Sequence, residues 1–485
     1  MPGEVRWGGR ERRKDHDGMA GITVGAKEGG VDINAQIFRE YDIRGIAGED
    51  LDDASVEILG RAMGTFFLGR DQRDVAVGRD CRLSSPGFGQ ALIRGLLSTG
   101  CDVADIGVVP TPLLYFSVFH DKMPAGVMIT GSHNPPEHNG FKVMSGEETL
   151  YGKTIQALYE IVRKGVFPRG QGRVRAVDIV TEYTDYVAGN VRFSRPVKVV
   201  IDAGNGTGGV VAVPLFRRMG AEVIDIFCEP DGRFPNHHPD PTLPEAMDKL
   251  VAKVRESGAE LGIAYDGDAD RIGVVDDQGH IIWGDQLLIV FARDILPSHP
   301  GAAVISEVKA SKVLYEEIEK LGGRPIMWRT GHSLIKKKIK EENAPLAGEM
   351  SGHIFFNDRW FGFDDAIYAS ARLIEILSRS HEPLSAMMAG LPKTFATPEI
   401  RIYASDEVKF RIVDEVRREL AARHPVIDID GVRAIFPKGW GLVRASNTQA
   451  VIVMRFEADT AVDLAAIQKE VRGVLQQVIN TLGAT

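Results

Sequence analysis

One unit occurs three times in this chain: a short apolar strand, a polar loop, a helix closed by glycine, and a second strand. "DVAVGRD" leads through "FGQALIRGLLSTG", which stops at Gly100, into "DVADIGVV". "VKVVIDAGNGTGG" leads through "VVAVPLFRRMG", ending at Gly220, into "AEVIDIF". "AAVISEVKAS" leads through "KVLYEEIEKLGG" into "RPIMWRTG". Glycine just past a helix takes the left-handed closing conformation without steric cost. Strands alternating with helices of this length need crossovers, and crossovers join parallel strands. The units therefore predict three similar α/β domains rather than a short-period solenoid.

After about Gly390 the texture changes. "PEIRIYASD", the helix "VKFRIVDEVRREL", then "VIDIDGVRAIF", "GWGLVRASNT" and "AVIVMRFEA" alternate strand and turn before a last helix from about Thr460. That is a smaller α+β domain with an antiparallel sheet. Boundaries fall near residues 177, 280 and 391, giving domains over 33–177, 178–280, 281–391 and 392–485 behind a disordered extension over 1–32. At about 150 residues per domain, 485 residues suit this division.

Charge and composition exclude several functions. A net charge of −9 gives no electrostatic footprint for nucleic acid, so an anionic ligand needs local basic residues. No apolar run reaches the roughly 18 residues of a membrane span. The N-terminus "MPGEVRWGGRERRKDHDGMAG" has charge but no apolar stretch, so it is not a secretory signal. Met19 is an alternative start, which would leave residues 1–18 outside the native protein. Cys81, Cys101 and Cys228 have no metal or disulfide spacing and read as reduced thiols of a cytoplasmic protein.

Four loops carry chemistry. In "VMITGSHNPPEHNGFKV" a hydrophobic strand gives way to Thr130, Ser132 and His133 ahead of two prolines. A turn needs Gly, Pro or Asn but not this cluster of polar side chains. "LGIAYDGDADRIGVVDD" places Asp266, Asp268 and Asp270 between two strands, where three carboxylates repel one another unless a cation sits among them. Hard oxygen ligands suit Mg²⁺ or Ca²⁺. A calcium EF-hand is excluded, because its sixth position is Arg271 instead of Gly and its twelfth is Asp277 instead of Glu. Arg271 beside the acids suits a phosphate meeting a metal.

"APLAGEMSGHIFF" interrupts an apolar run with Glu349 and Ser351, fit to hydrogen-bond sugar hydroxyls, and His353, fit to move a proton. Upstream, "RTGHSLIKKKIKEEN" brings Gly331, His332 and Ser333 into a helix whose Lys336, Lys337, Lys338 and Lys340 read as a solvated face. In the last domain Arg444, Ser446, Asn447 and Thr448 follow a strand, with Arg455 on the next, and arginine with hydroxyls is phosphate-binding chemistry. "DAGNGTGG" lacks the spacing of a phosphate loop and reads as a structural turn.

Together these loops resemble the α-D-phosphohexomutase superfamily from about Gln36 onward, and within it the bacterial phosphomannomutase/phosphoglucomutase branch. "YDIRG" at 41–45, "TGSHNP" at 130–135, "DGDADR" at 266–271, "GEMSGH" at 348–353 and "RASNT" at 444–448 stand in the family's order. The resemblance implies four domains around a central cleft, the first three α/β with mixed sheets between helices. It implies that Ser132 carries a phosphoryl group and that Ser132, Asp266, Asp268 and Asp270 bind Mg²⁺. Arg44, Lys142 and Arg271 match positions near the reacting groups, and His353 a candidate general base. Tyr41, His133, Lys309, His332, Glu349 and Ser351 match substrate contacts. Arg444, Ser446, Asn447, Thr448 and Arg455 match residues that hold the phosphate not reacting. The implied reaction interconverts hexose 1-phosphate and hexose 6-phosphate through a hexose 1,6-bisphosphate, with glucose 1,6-bisphosphate as activator. A monomer completes such a cleft. Gly131 stands where much of the superfamily has Ala. "GEMSGH" and "YDIRG" differ from the usual phosphoglucosamine mutase forms and favour a hexose phosphate. A phosphoglucosamine mutase, a phosphatase and an inactive sugar-phosphate-binding protein remain as alternatives.

Overall fold

The computed structural model describes residues 23–24, 33–447 and 449–482. Each predicted unit forms a sheet with one shared order. In the first domain Asp74–Arg79 lies between the parallel strands Asp102–Val108 and Ala125–Ile129, and Ala125–Ile129 pairs antiparallel with His138–Ser145. In the second, Lys198–Asp202 lies between the parallel strands Glu222–Ile226 and Leu261–Tyr265, and Leu261–Tyr265 pairs antiparallel with Ile272–Asp276. The third repeats this with Ala303–Glu307 between Arg324–Trp328 and Leu346–Gly348, the last antiparallel to Ile354–Phe356. The sheets are therefore mixed. The helix Ser85–Thr99 closes at Gly100 with φ +98, and Gly220 after Gly208–Arg218 has φ +96, as the glycine stops require.

This topology positions the chemistry. In each α/β domain the turn between the third parallel strand and its antiparallel neighbour carries one polar loop: residues 130–137, 266–271 and 349–353. The last domain adds a fourth hairpin loop, between Gly439–Ala445 and Val451–Ala458 of its antiparallel sheet. Loops of this kind tolerate polar clusters because the paired strands behind them satisfy the backbone.

The first three domains share one core. Leu113 and Phe116 of the first, Phe216 and Ile263 of the second, and Phe291, Phe356 and Tyr368 of the third belong to a continuous buried cluster. The helix Thr111–Phe119 is buried at every residue, which its sequence "TPLLYFSVF" permits because it has no polar face. The last domain keeps a separate core around Val416, Leu420, Met454, Phe456 and Val471. Its apolar seam with the third domain is small, formed around Val308, Trp440 and Leu442. A seam without a large apolar core leaves relative motion as the expectation.

The extension expected over 1–32 is corrected at one point: Thr23–Val24 pairs antiparallel with Pro168–Arg169. Its other residues lie outside those described. Among the described residues, no helix is long and apolar enough to cross a membrane.

Candidate active site

Ser132 sits at the turn after Ala125–Ile129 with φ +48, a left-handed conformation unusual for a residue with a side chain. It is 3% exposed. Its Oγ donates to Asp266 Oδ2 at 2.7 Å, and His133 Nδ1 lies 3.1 Å from the same Oγ. Burial first, then Arg271 and Arg44, lowers His133 well below the usual imidazole value, so that ring is neutral. The loop over residues 266–271 is held from behind by the "DAGNGTGG" turn, where the Thr207 N–H and Oγ1 both donate to the Gly267 carbonyl.

Asp266, Asp268 and Asp270 are buried and bring ligand atoms within 4.8 Å of one another. Lys142 Nζ reaches Asp268 Oδ2 at 2.7 Å and Asp270 Oδ2 at 2.5 Å. The Thr111 hydroxyl, opening the buried helix, donates to Asp268 Oδ2 at 2.5 Å. Asp268 Oδ1 and Asp270 Oδ1 are buried without a hydrogen-bond partner. Burial and the neighbouring Asp270 and Asp268 push Asp266 well above the usual carboxylate range. Burial would raise Asp268 too, but Lys142 holds it below that range. A triad with orphaned inward oxygens and one uncomfortable carboxylate fits a hard divalent cation.

His353 closes the pocket from the third domain. Arg271 Nε–H donates to His353 Nε2 at 3.0 Å, which places the ring proton on Nδ1, facing the Asp270 carbonyl and Asp364 Oδ2, each at 3.1 Å. Burial would lower this imidazole, but Asp270 and Asp364 raise it above the usual value. Arg44 donates to Asp42 and, through Nη1, to Asn134 Oδ1 at 3.1 Å, so it flanks the Ser132 loop.

One expectation is corrected here. Lys336 does not belong to a solvated face: it is 8% exposed, 3.1 Å from Asp364 Oδ1, and lies 4.1 Å from the Tyr115 ring centroid. Burial pulls its ammonium below the usual lysine value. Its neighbour on the helix face, His332, stacks on His353 at 5.6 Å. The signal was present in the sequence, because Lys336 is four residues after His332 and shares its face.

The remaining contacts join the third domain to the fourth and first. Glu349 Oε1 accepts the Gly331 N–H at 2.7 Å, and Ser351 is half-buried in the same loop. Buried Glu307 accepts from Thr330 Oγ1 at 2.7 Å and from the Met350 N–H at 3.1 Å, with Lys309 Nζ 3.4 Å away. Lys309 itself reaches Glu399 Oε1 at 2.7 Å. In the last domain Arg444 Nε donates to Asp430 Oδ2 at 3.0 Å, and that carboxylate also accepts the Thr330 N–H at 3.1 Å. Asn447 Nδ2 donates to the Tyr41 hydroxyl at 2.9 Å, and Tyr41 donates to the Thr330 carbonyl at 3.1 Å. Ser446 Oγ accepts the Gln449 N–H. Arg455 faces the same side of the sheet as Arg444, but its Nη1 donates to the Lys309 carbonyl in the seam with the third domain. Thr448 lies outside the described residues.

The structure thus brings Ser132, His133, Lys142, the three aspartates, Arg271 and His353 into one cluster. Tyr41, Lys309, Glu349, Arg444 and Asn447 form a second around Glu307 and Thr330, and His332 lies between the two, against His353 and Tyr41. Asp364, Glu307, Asp430 and Thr111 hold these groups in place and carry no motif of their own.

Four family models match the chain in order. They are phosphoglucomutase/phosphomannomutase alpha/beta/alpha domain I over 35–169, domain II over 181–279, domain III over 283–395, and the C-terminal domain over 399–474. A phosphomannomutase/phosphoglucomutase of Pseudomonas aeruginosa is 49% identical over 451 residues, 93% of this chain and 97% of that protein. A phosphoglucomutase of Neisseria gonorrhoeae is 46% identical over 92% of this chain and 97% of its own. The crystal structure of a phosphoglucomutase/phosphomannomutase family protein from Burkholderia thailandensis superposes with a TM-score of 0.88 at 42% identity, covering 94% of this chain and 99% of that one.

Proposed function

The chain belongs to the phosphoglucomutase/phosphomannomutase family, and we propose that it moves a phosphoryl group between the 1- and 6-hydroxyls of mannose or glucose through Ser132. The observation that carries this reading is the 2.7 Å contact of Ser132 Oγ with an aspartate of a buried triad that has oxygens to spare. Asp266, Asp268 and Asp270 would hold Mg²⁺, which supplies charge neutralisation to the phosphoryl group in flight. The protein's own part is positioning, because phosphoryl transfer asks for alignment and electrostatics more than for covalent chemistry.

In the first half-step the phosphate ester of Ser132 breaks and a sugar hydroxyl takes the phosphoryl group, giving the hexose 1,6-bisphosphate. His353 is the base we assign to that hydroxyl: its Nε2 lone pair, which here accepts the Arg271 Nε–H, takes the hydroxyl proton once Arg271 turns to the phosphoryl group. Lys142, Arg44 and Arg271 surround the transferring charge. The bisphosphate then turns over and returns its other phosphate to Ser132 Oγ. Glu349 and Ser351 grip sugar hydroxyls in either orientation, with Tyr41, His133, Lys309 and His332 as further contacts. Arg444, Ser446, Asn447, Thr448 and Arg455 hold the idle phosphate, and Arg444 exchanges Asp430 for it. Every group comes from one chain, so a monomer suffices, and the cytoplasm, where hexose phosphates are made, is its place.

The test is turnover of glucose 1-phosphate and mannose 1-phosphate with Mg²⁺ and a trace of glucose 1,6-bisphosphate. Formation of the 6-phosphate without release of inorganic phosphate supports the reading. Inorganic phosphate without isomer would identify a phosphatase, and a preference for glucosamine 1-phosphate would identify a phosphoglucosamine mutase.

A further inference from the structure

Arg82 has no exposed surface, and every one of its N–H donors is used. Its Nε donates to Asp80 Oδ2 at 3.1 Å. Nη1 donates to the carbonyls of Pro135 and His138, at 2.5 and 2.9 Å, and Nη2 to those of Ser132 and Asn134, at 2.8 and 2.6 Å. A guanidinium has five N–H donors in a rigid planar fork. Three of them here gather carbonyls of the loop that carries Ser132, and a fourth takes that of His138, where the next strand begins. Asp80 completes the frame: its Oδ2 accepts the Gly131 N–H at 3.1 Å and its Oδ1 accepts the Ser85 hydroxyl at 2.5 Å.

Glycine at position 131 follows from this frame. A Cβ built there would lie 2.5 Å from both Cζ and Nε of Arg82 and 2.8 Å from the His138 carbonyl oxygen. The Arg82 loop is in turn braced by the domain that supplies the metal triad. The Phe234 ring centroid lies 5.1 Å from the Arg82 guanidinium, and Gly232 leaves no room for a side chain against the Cys81 carbonyl and the Arg82 backbone.

We propose that Arg82 is a positioning residue for phosphoryl transfer. Its guanidinium, seated beneath Gly131, fixes the loop so that Ser132 keeps the left-handed conformation that aims Oγ at Asp266. A non-glycine residue in that conformation is strained and persists only where its surroundings over-determine it. Arg82 and Asp80 provide that determination. The inference rests on Ser132 as the phosphoryl carrier. It explains why this chain has Gly131 where the smallest side chain would collide with the clamp.

The experiment compares wild-type enzyme with Arg82→Lys, Gly131→Ala and the double variant, each with Mg²⁺ and preloaded with glucose 1,6-bisphosphate. Three readouts are taken: phosphate on Ser132 by mass spectrometry, single-turnover transfer to glucose 1-phosphate, and the KM for that sugar. A lysine has too few donors for the four carbonyls, so Arg82→Lys should slow the transfer by about 100-fold, the effect of an ångström-scale misplacement. KM should stay within about threefold, because Lys309, His332, Glu349 and Ser351, and the residues assigned to the idle phosphate, lie in other domains. Gly131→Ala should slow transfer comparably with Arg82 still present, which keeps the test alive if Arg82→Lys does not fold. The two changes should be strongly non-additive, since the second has no clamp left to disturb. Wild-type transfer rates in the folded single variants, or losses confined to thermal stability, would overturn the positioning role while leaving the phosphoserine reading intact. Wild-type enzyme that turns over with no phosphate ever on Ser132 would instead overturn that reading, and the clamp's role with it.

Discussion

Ser132 Oγ donates to Asp266 Oδ2 at 2.7 Å across 134 residues of sequence. That contact joins the first domain's hairpin loop to the second's, and it places the group that would carry phosphate directly on the group that would carry metal. Two equivalent loops of a repeated fold meet there, and the third delivers His353 to the same point through Arg271.

Removal of the metal should stop the reaction without unfolding the protein. Chelation should abolish turnover, and Mg²⁺ should restore it. Asp268→Asn should weaken Mg²⁺ binding, seen as a higher Mg²⁺ concentration for half-maximal rate. It should also lower kcat by about 100-fold or more, because the charge that offsets the transferring phosphoryl group is reduced.

Lys142 is the cation bonded to both Asp268 and Asp270 of the triad. Lys142→Met leaves buried carboxylates uncompensated and should cost about 3–5 kcal/mol of stability. A divalent cation replaces the missing charge, so Mg²⁺ should raise the Tm of the variant more than that of wild type. Equal Tm shifts would show that the cation does not bind at these carboxylates.

His353→Ala should lower kcat by about 10²–10⁴-fold, the range for loss of a general base, with KM little changed. Steady-state kinetics on glucose 1-phosphate measures both. A rise in KM with kcat preserved would make His353 a binding residue.

Glu399 and Lys309 tie the last domain to the third at 2.7 Å. The Lys309 ammonium holds Glu399 down at about 2, against burial that would raise it from the usual 4.5. Above about pH 4.5 the glutamate is charged in folded and unfolded chains alike, and the pair's contribution is complete. As pH falls from there toward about 2 the unfolded chain takes up the proton first, and the contribution drains away. Glu399→Gln should therefore be less stable than wild type at pH 7 by about 2 kcal/mol, the scale of a charged hydrogen bond. The difference should shrink on acidification, read as Tm against pH.

Much of this was legible in the sequence because each active loop interrupts an apolar strand, and an interrupted strand is a local signal. The strand–helix units and their glycine stops were visible for the same reason. Lys336 departs from its expectation because a run of lysines on a helix resembles a solvated face, whereas its surroundings, Asp364 and Tyr115, come from elsewhere in the chain. Arg82 and Glu307 carry no motif at all. A buried ion is recognisable only from the carbonyls or donors that surround it, and those are assembled by the fold.

The central claim is that Ser132 carries the phosphoryl group. Intact-mass measurement with peptide mapping, before and after glucose 1,6-bisphosphate and Mg²⁺, tests it most directly. The account predicts one phosphate, on Ser132, lost on adding excess hexose phosphate, and absent along with all turnover in a folded Ser132→Ala variant. Mutase activity in that variant, or a working enzyme never phosphorylated at Ser132, would contradict it.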